Sequence, residues 1–188
     1  MIGAKNTRGW FLGACGAWLM LGALSGCSVA PPDNVPRARY GSPSLKVWCE
    51  SGDSASCVEL GQRHERGEFT EQTAVRWYAL GCRDNHAAAC NSMGWILWQG
   101  EHDTPVDEGS AALAFERGCD GGSLVACVNL GIMIEQEILG SPPDMTRALV
   151  LHQKACDGGV PVGCHNVGVL IAEGRGATAD PATARGLF

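Results

Sequence analysis

Apolar residues between positions 45 and 174 follow a helical spacing, and the same order of small and large side chains returns along the chain. A small residue stands eight positions before a recurring cysteine and a large residue four positions before it, so both lie on one helix face. The small positions are Ala74, Ala111 and Ala148, and the large ones are Leu45, Tyr78, Phe115 and His152. A second apolar segment follows after a short turn, and the pattern predicts pairs of helices without a sheet.

Cysteines set the period of this pattern. Successive pairs begin 33, 37 and 37 residues apart, and the two members of each pair are separated by eight positions. The eight residues concerned are Cys49, Cys57, Cys82, Cys90, Cys119, Cys127, Cys156 and Cys164. A period in this range is typical of stacked two-helix units.

Glycines and capping residues repeat in the same register. A glycine four residues after each second cysteine should let two helix backbones approach closely. This position is occupied by Gly61, Gly94, Gly131 and Gly168. A later glycine, at Gly67, Gly100 and Gly174, is placed to end the second helix. The predicted helix N-caps are Thr70, Asp107, Ser123, Asp144 and Asp180.

These motifs resemble the Sel1-like repeat, a relative of the tetratricopeptide repeat. The resemblance rests on Ala74-x-x-Trp77-Tyr78, Gly81-Cys82, Ala89-Cys90-x-x-Met93-Gly94 and Gly100. It implies an all-α, right-handed superhelical solenoid of about four helical hairpins over residues 42–179. The first helix of an incomplete fifth repeat would follow at 180–188. We expect the chain to be part of a longer array, and the alternative is that this segment is a shortened helix that caps the array. Paired cysteines place it near the Helicobacter cysteine-rich type.

Three interpretations of the cysteine pairs can be compared. Structural zinc sites use closer spacings such as C-x2-C, and redox motifs use C-x-x-C, neither of which fits pairs eight residues apart. A disulfide within each hairpin suits an exported chain, because the end of one helix lies beside the start of the next. We therefore favour four local disulfides over the two alternatives.

The N-terminus is typical of an exported lipoprotein. Lys5 and Arg8 precede an apolar run that ends in Leu24-Ser25-Gly26-Cys27, which resembles the bacterial lipobox. We predict a signal peptide at 1–26, lipidation of Cys27 and a Pro-rich tether at 27–41. The resemblance to Gram-negative lipoproteins, with Ser28 rather than Asp after the cysteine, implies the outer membrane, facing the periplasm, as the destination. The alternative is an ordinary signal peptide with an incidental cysteine.

Composition and charge indicate a folded protein and argue against one class of partner. The 188 residues are 45% hydrophobic and 18% charged, which is enough apolar content for a core. The net charge of −6 argues against a nucleic-acid partner.

The sequence contains no recognisable catalytic motif. The resemblance implies an alternative as a β-lactam-binding or weakly β-lactam-hydrolysing protein, whose ligand would relate to peptidoglycan chemistry. Serine β-lactamases use S-x-x-K, but Pro43 and Leu151 stand three residues before Lys46 and Lys154. No cofactor or metal site is predicted, and the question of enzymatic activity stays open with non-enzymatic binding favoured.

The favoured hypothesis is therefore a lipid-anchored scaffold that binds a protein or peptide in the groove of the array. Trp98 stands where other repeats carry Glu65, Glu135 and Ala172, so it either anchors a partner or covers the neighbouring repeat. Glu116, Arg117 and Lys154 occupy variable positions on the first helices and are further candidates for partner contacts. His64 and His152 are expected to pack inside the array.

Overall fold

A computed structural model describes residues 36–68, 73–136 and 142–187. The predicted signal peptide at 1–26, the lipidation site Cys27 and most of the tether at 27–41 lie outside these ranges, as do Thr70 and Phe188. After a short 3-10 turn at Arg37–Arg39, the described residues form α1 (Ser42–Glu50), α2 (Ser54–Glu65), α3 (Ala74–Arg83), α4 (Ala87–Gln99), α5 (Glu108–Asp120), α6 (Leu124–Glu135), α7 (Met145–Asp157), α8 (Pro161–Glu173) and α9 (Pro181–Ala184). No β-strand occurs within those ranges.

Helices α1 to α8 form four hairpins, which confirms the predicted all-helical repeat array. Each helix packs against the next one in the chain, and helices two apart also touch, so the odd-numbered and even-numbered helices form two layers. The predicted small positions Ala74, Ala111 and Ala148 have no exposed surface. Ala184 of α9 is buried in the same way, which continues this column against α8.

A left-handed residue turns the chain within each hairpin. It stands three positions after the first cysteine, and the four residues are Gly52, Asn85, Gly122 and Gly159, with φ of 104°, 61°, 97° and 84°. Asparagine tolerates this conformation better than most residues with a side chain, so it can replace glycine in the second hairpin. The tight turn brings the two cysteines of every pair together.

The four predicted disulfides are present, each within one hairpin. They join Cys49 to Cys57, Cys82 to Cys90, Cys119 to Cys127 and Cys156 to Cys164, with Cα separations of 4.4 to 4.7 Å. The first three bridges are buried, whereas both cysteines of the last are half-buried. Each bridge ties the end of a first helix to the first turns of a second, which supports units that touch only their neighbours.

Helix caps agree with most of the sequence expectations. The carboxylates of Asp107 and Asp144 each accept a hydrogen bond from a backbone amide three residues on, both at 3.0 Å, and Asp180 caps α9 similarly. Ser123 caps α6 through the amide of Ala126 at 3.3 Å. Helix α3 begins after Thr73, which makes no side-chain cap.

Candidate partner-binding face

Three of the predicted glycines of the second helices, Gly61, Gly94 and Gly131, each form a socket for a ring from the next repeat. A Cβ at Gly61 would lie 2.6 Å from the ring of Tyr78, and a Cβ at Gly94 would lie 2.7 Å from that of Phe115. The sequence expectation of close backbone approach was therefore incomplete, because the glycine makes room for a side chain. These sockets hold consecutive repeats in register.

His152 fills the equivalent socket at Gly131 and is fully buried. Its Nε2 lies 2.8 Å from a carboxylate oxygen of Glu135, and the amide of Asn166 donates to Nδ1 at 3.4 Å. A neutral imidazole with its proton on Nε2 satisfies both bonds. Burial lowers the pKa of His152, and the Glu135 carboxylate partly opposes this effect. The expectation that His152 packs inside the array is confirmed.

The polarity of the inserted ring and the polarity of the residue beside its tip change together from repeat to repeat. The hydroxyl of Tyr78 hydrogen-bonds to Glu65 and Ser92, and burial together with the Glu65 carboxylate raises the pKa of that hydroxyl. Phe115 has no polar tip, and the residue at the Glu65 position in its junction is Trp98. Polar tips therefore meet a carboxylate, and the apolar tip meets an aromatic ring.

Trp98 accordingly has a packing role. Its ring is half-buried and stands edge-on to Phe115, with centroids 6.0 Å apart, and edge-on to Trp95 at 5.8 Å. This geometry matches the alternative in which Trp98 covers the neighbouring repeat, while a contact with a partner stays a prediction. Trp95, which the sequence analysis did not select, is the more exposed of the two at 42%.

Two of the predicted contact residues link neighbouring repeats. Arg117 donates from Nη2 to the carbonyl of Cys82 at 2.8 Å, and Lys154 donates to the carbonyl of Cys119 at 2.9 Å. Both cations thereby meet the negative end of the preceding first helix. Their remaining surface is exposed to solvent, so a partner role for them is compatible with this link.

The outward side of α3, α5 and α7 carries cations and large apolar residues side by side. We call this surface the first-helix face and define it by Arg76, Ser110, Leu113, Arg117, Arg147, Val150 and Lys154. Leu113 and Val150 occupy the same position in adjacent repeats and are 63% and 62% exposed. Neither residue was predicted as a contact from the sequence. Both stand six residues before a first cysteine, where α3 carries the polar Arg76, and this difference could have indicated an exposed position.

A shallow pocket of about 170 Å³ opens on this face between α3 and α5. Its lining is mainly apolar and consists of Ala79, Cys82, Met93, Ser110, Leu113, Ala114 and Arg117. The predicted contact residue Glu116 lies beside the face and forms an ion pair with Arg147 of the next repeat. The surface combines one apolar recess with several hydrogen-bond donors, which is the composition of a recognition site.

The described ranges show no cluster of three or more side chains able to hold a metal ion. His86 caps α4, since its Nδ1 accepts from the amide of Ala89 at 3.3 Å, and this role was not foreseen from the sequence. His64 is half-buried, with its ring 6.2 Å from that of His102.

Comparison with known proteins agrees with this architecture. The Sel1 repeat model matches residues 54–86, 87–123, 124–160 and 161–188. The chain belongs to the Sel1 repeat family. Each matched unit runs from a second helix through the following first helix, and the first three units span the junctions at which a ring enters the socket of Gly61, Gly94 or Gly131.

Two solved Sel1-type structures are similar to this chain. One is c5321, a protective antigen present in uropathogenic Escherichia coli strains, with 26% identity, a TM-score of 0.68 and coverage of 79% of this chain and 32% of that one. The other is a Sel1 repeat protein from Oxalobacter formigenes, with 22% identity, a TM-score of 0.67 and coverage of 78% and 59%. This chain thus spans about a third and three fifths of their lengths. No curated protein shows a significant match.

Proposed function

We propose that this Sel1 repeat protein is a lipid-anchored envelope scaffold that binds a protein or peptide through the first-helix face. The observation that carries the proposal is the pair of large apolar side chains, Leu113 and Val150, left exposed at matching positions of adjacent repeats beside the α3–α5 pocket. Exposed apolar groups rimmed by polar ones are typical of interaction sites.

An extracytoplasmic location accords with the four disulfides, which form and persist in oxidising compartments. No helix within the described ranges is both long and apolar enough to cross a membrane. The proposed attachment is the lipid on Cys27, at the end of the N-terminal apolar run. Cys27→Ala should abolish labelling with radioactive palmitate and release the protein from the membrane fraction, and unchanged labelling would contradict the anchor.

Site-specific photo-crosslinking in the native host tests the binding face. A photoreactive residue in place of Leu113 should give a crosslinked product of defined mass, whereas one in place of Val125, which is 51% exposed on α6, should not. Val150→Glu should abolish the product because it places a charge in the same face. Val162→Glu is the matched control, since Val162 is 54% exposed on the other helix layer.

Crosslinking of equal strength from both layers, or a product that survives Val150→Glu, would contradict the assignment of the first-helix face. The result does not depend on the anchor, because the palmitate experiment tests Cys27 separately.

A further inference from the structure

The charge of the first-helix face is opposite to that of the whole chain. The chain has a net charge of −6, yet the defining positions of the face include four cations and no acidic residue. The cations are Arg76, Arg117, Arg147 and Lys154. Glu116 neutralises one of them, Arg147, across the repeat junction. The other three are left to give a local positive potential along α3, α5 and α7.

Hydrogen-bond donors remain available on this face. Arg117 uses only Nη2 for its bonds to the carbonyls of Cys82 and Arg83 and to the side chain of Asn85. Nε and Nη1 bond to none of the residues in the described ranges. Arg76 is exposed and makes no side-chain hydrogen bond or ion pair there. Guanidinium groups with free donors suit carboxylates because they offer charge-assisted, often bidentate bonds.

The α3–α5 pocket supplies a second requirement. Its volume of about 170 Å³ and its walls of Ala79, Met93, Leu113 and Ala114 suit one medium-sized apolar side chain. The guanidinium of Arg117 forms part of the same lining, so an apolar side chain and a neighbouring carboxylate could be held together.

We propose that the first-helix face recognises an acidic peptide segment. One apolar side chain of the segment enters the α3–α5 pocket, and its carboxylates bind Arg76 and Arg117. This inference rests on the proposed function and specifies the chemistry of the partner. A flat anionic membrane fits less well, because it has no side chain to place in the α3–α5 pocket.

Fluorescence anisotropy with defined probes tests the proposal on the full-length protein purified in detergent with its disulfides intact. The probe is a short labelled peptide of alternating glutamate and glycine with one central leucine. It should bind at least about tenfold more tightly than the same peptide with lysine for glutamate, because charge-assisted bonds are lost. Replacing its leucine by alanine should weaken binding several-fold because the pocket stays empty.

Arg76→Gln should weaken binding of the acidic probe several-fold. The matched control is Arg83→Gln, which changes the net charge equally, on the same helix, but lies outside the defined face and beside Asp84. Raising the salt concentration should weaken the interaction, since local attraction is screened. If the net negative charge of the chain dominated, salt would instead strengthen it, and that result would overturn the proposal.

The proposal is also overturned if the acidic and basic probes bind equally, if neither binds, or if Arg76→Gln and Arg83→Gln have the same effect. Binding to vesicles of anionic phosphatidylglycerol that depends on Arg76, without binding to the peptide, would assign the face to a membrane. If acidic preference fails while the Leu113 crosslink persists, the scaffold function stands and only the partner chemistry is wrong.

Discussion

The socket at Gly94 gives the sharpest test of how the repeats are held together. In Gly94→Ala, the new Cβ would lie 2.7 Å from Cδ1 and 2.8 Å from Cε1 of the Phe115 ring, about 1 Å inside normal carbon contact. Phe115 is fully buried, so its ring is enclosed by other side chains and any shift must displace them. Overpacking of this kind costs about 1–3 kcal/mol, whereas alanine gains about 1 kcal/mol over glycine in helix propensity.

We therefore expect Gly94→Ala to lower the free energy of unfolding, by up to about 2 kcal/mol. When Phe115→Ala removes the ring first, only the helix-propensity gain remains, and the same glycine substitution should then stabilise by about 1 kcal/mol. The coupling energy between the two positions is thus about 1–3 kcal/mol, with a reversal of sign. Urea unfolding of the oxidised protein, followed by far-UV circular dichroism, measures all four variants.

Gly109→Ala is the matched control. Gly109 lies in α5, and a Cβ added there would have only the Asp107 carboxylate nearby, at 3.7 Å, so this substitution should be neutral or stabilising. The reasoning is refuted if Gly94→Ala behaves like Gly109→Ala, or if its effect is unchanged by loss of the Phe115 ring.

Further predictions concern titration, redox stability and the C-terminal segment. Burial lowers the pKa of His152, so its contribution to the free energy of unfolding is fully present above the pKa of the unfolded chain, near 6.5, and is lost as the pH falls below that value. His152→Phe should remove this pH dependence, which urea unfolding at pH 7.5 and 5.5 measures. Stepwise reduction with thiol alkylation and mass spectrometry should open Cys156–Cys164 first, since its two cysteines are the least buried of the eight. Deletion of 180–188 should lower the melting temperature by a few degrees, because Ala184 is buried against α8.

Single-position patterns were sufficient to predict the repeat and its disulfides. Cysteines eight residues apart and alanines such as Ala111 recur because every hairpin needs the same bridge and the same small contact. Aspartates that precede helices, such as Asp107 and Asp144, were equally predictable since capping depends on local sequence. These features are set within one repeat, so the sequence shows them directly.

Features that depend on two residues in contact were harder to predict from the sequence. In the second and third hairpins glycine meets alanine, since a Cβ at Gly81 would contact Ala89 and one at Gly118 would contact Ala126, both at 2.9 Å. The fourth hairpin reverses the order, with Gly163 against Ala155 at 2.8 Å. Each of the two positions, considered alone, varies between glycine and alanine. In all three hairpins, however, the two positions together supply one methyl group at the point where the helices cross. The bonds of Arg117 and Lys154 to the preceding repeat were not predicted for a similar reason, because they depend on how the repeats stack.

Pairing across junctions also restricts the order of the repeats. If the hairpin carrying Phe115 followed the one carrying Glu65, the carboxylate would face an apolar ring and lose the hydrogen bond that the Tyr78 hydroxyl provides. Because Glu65 is exposed and water can replace the hydroxyl, the loss is only about 0.5–1.5 kcal/mol. Exposed residues of the first-helix face, such as Leu113, do not restrict the order of the repeats, because they are not paired with a particular side chain across a junction. The junctions therefore favour this order of repeats, while the residues of the proposed binding face can vary without disturbing them.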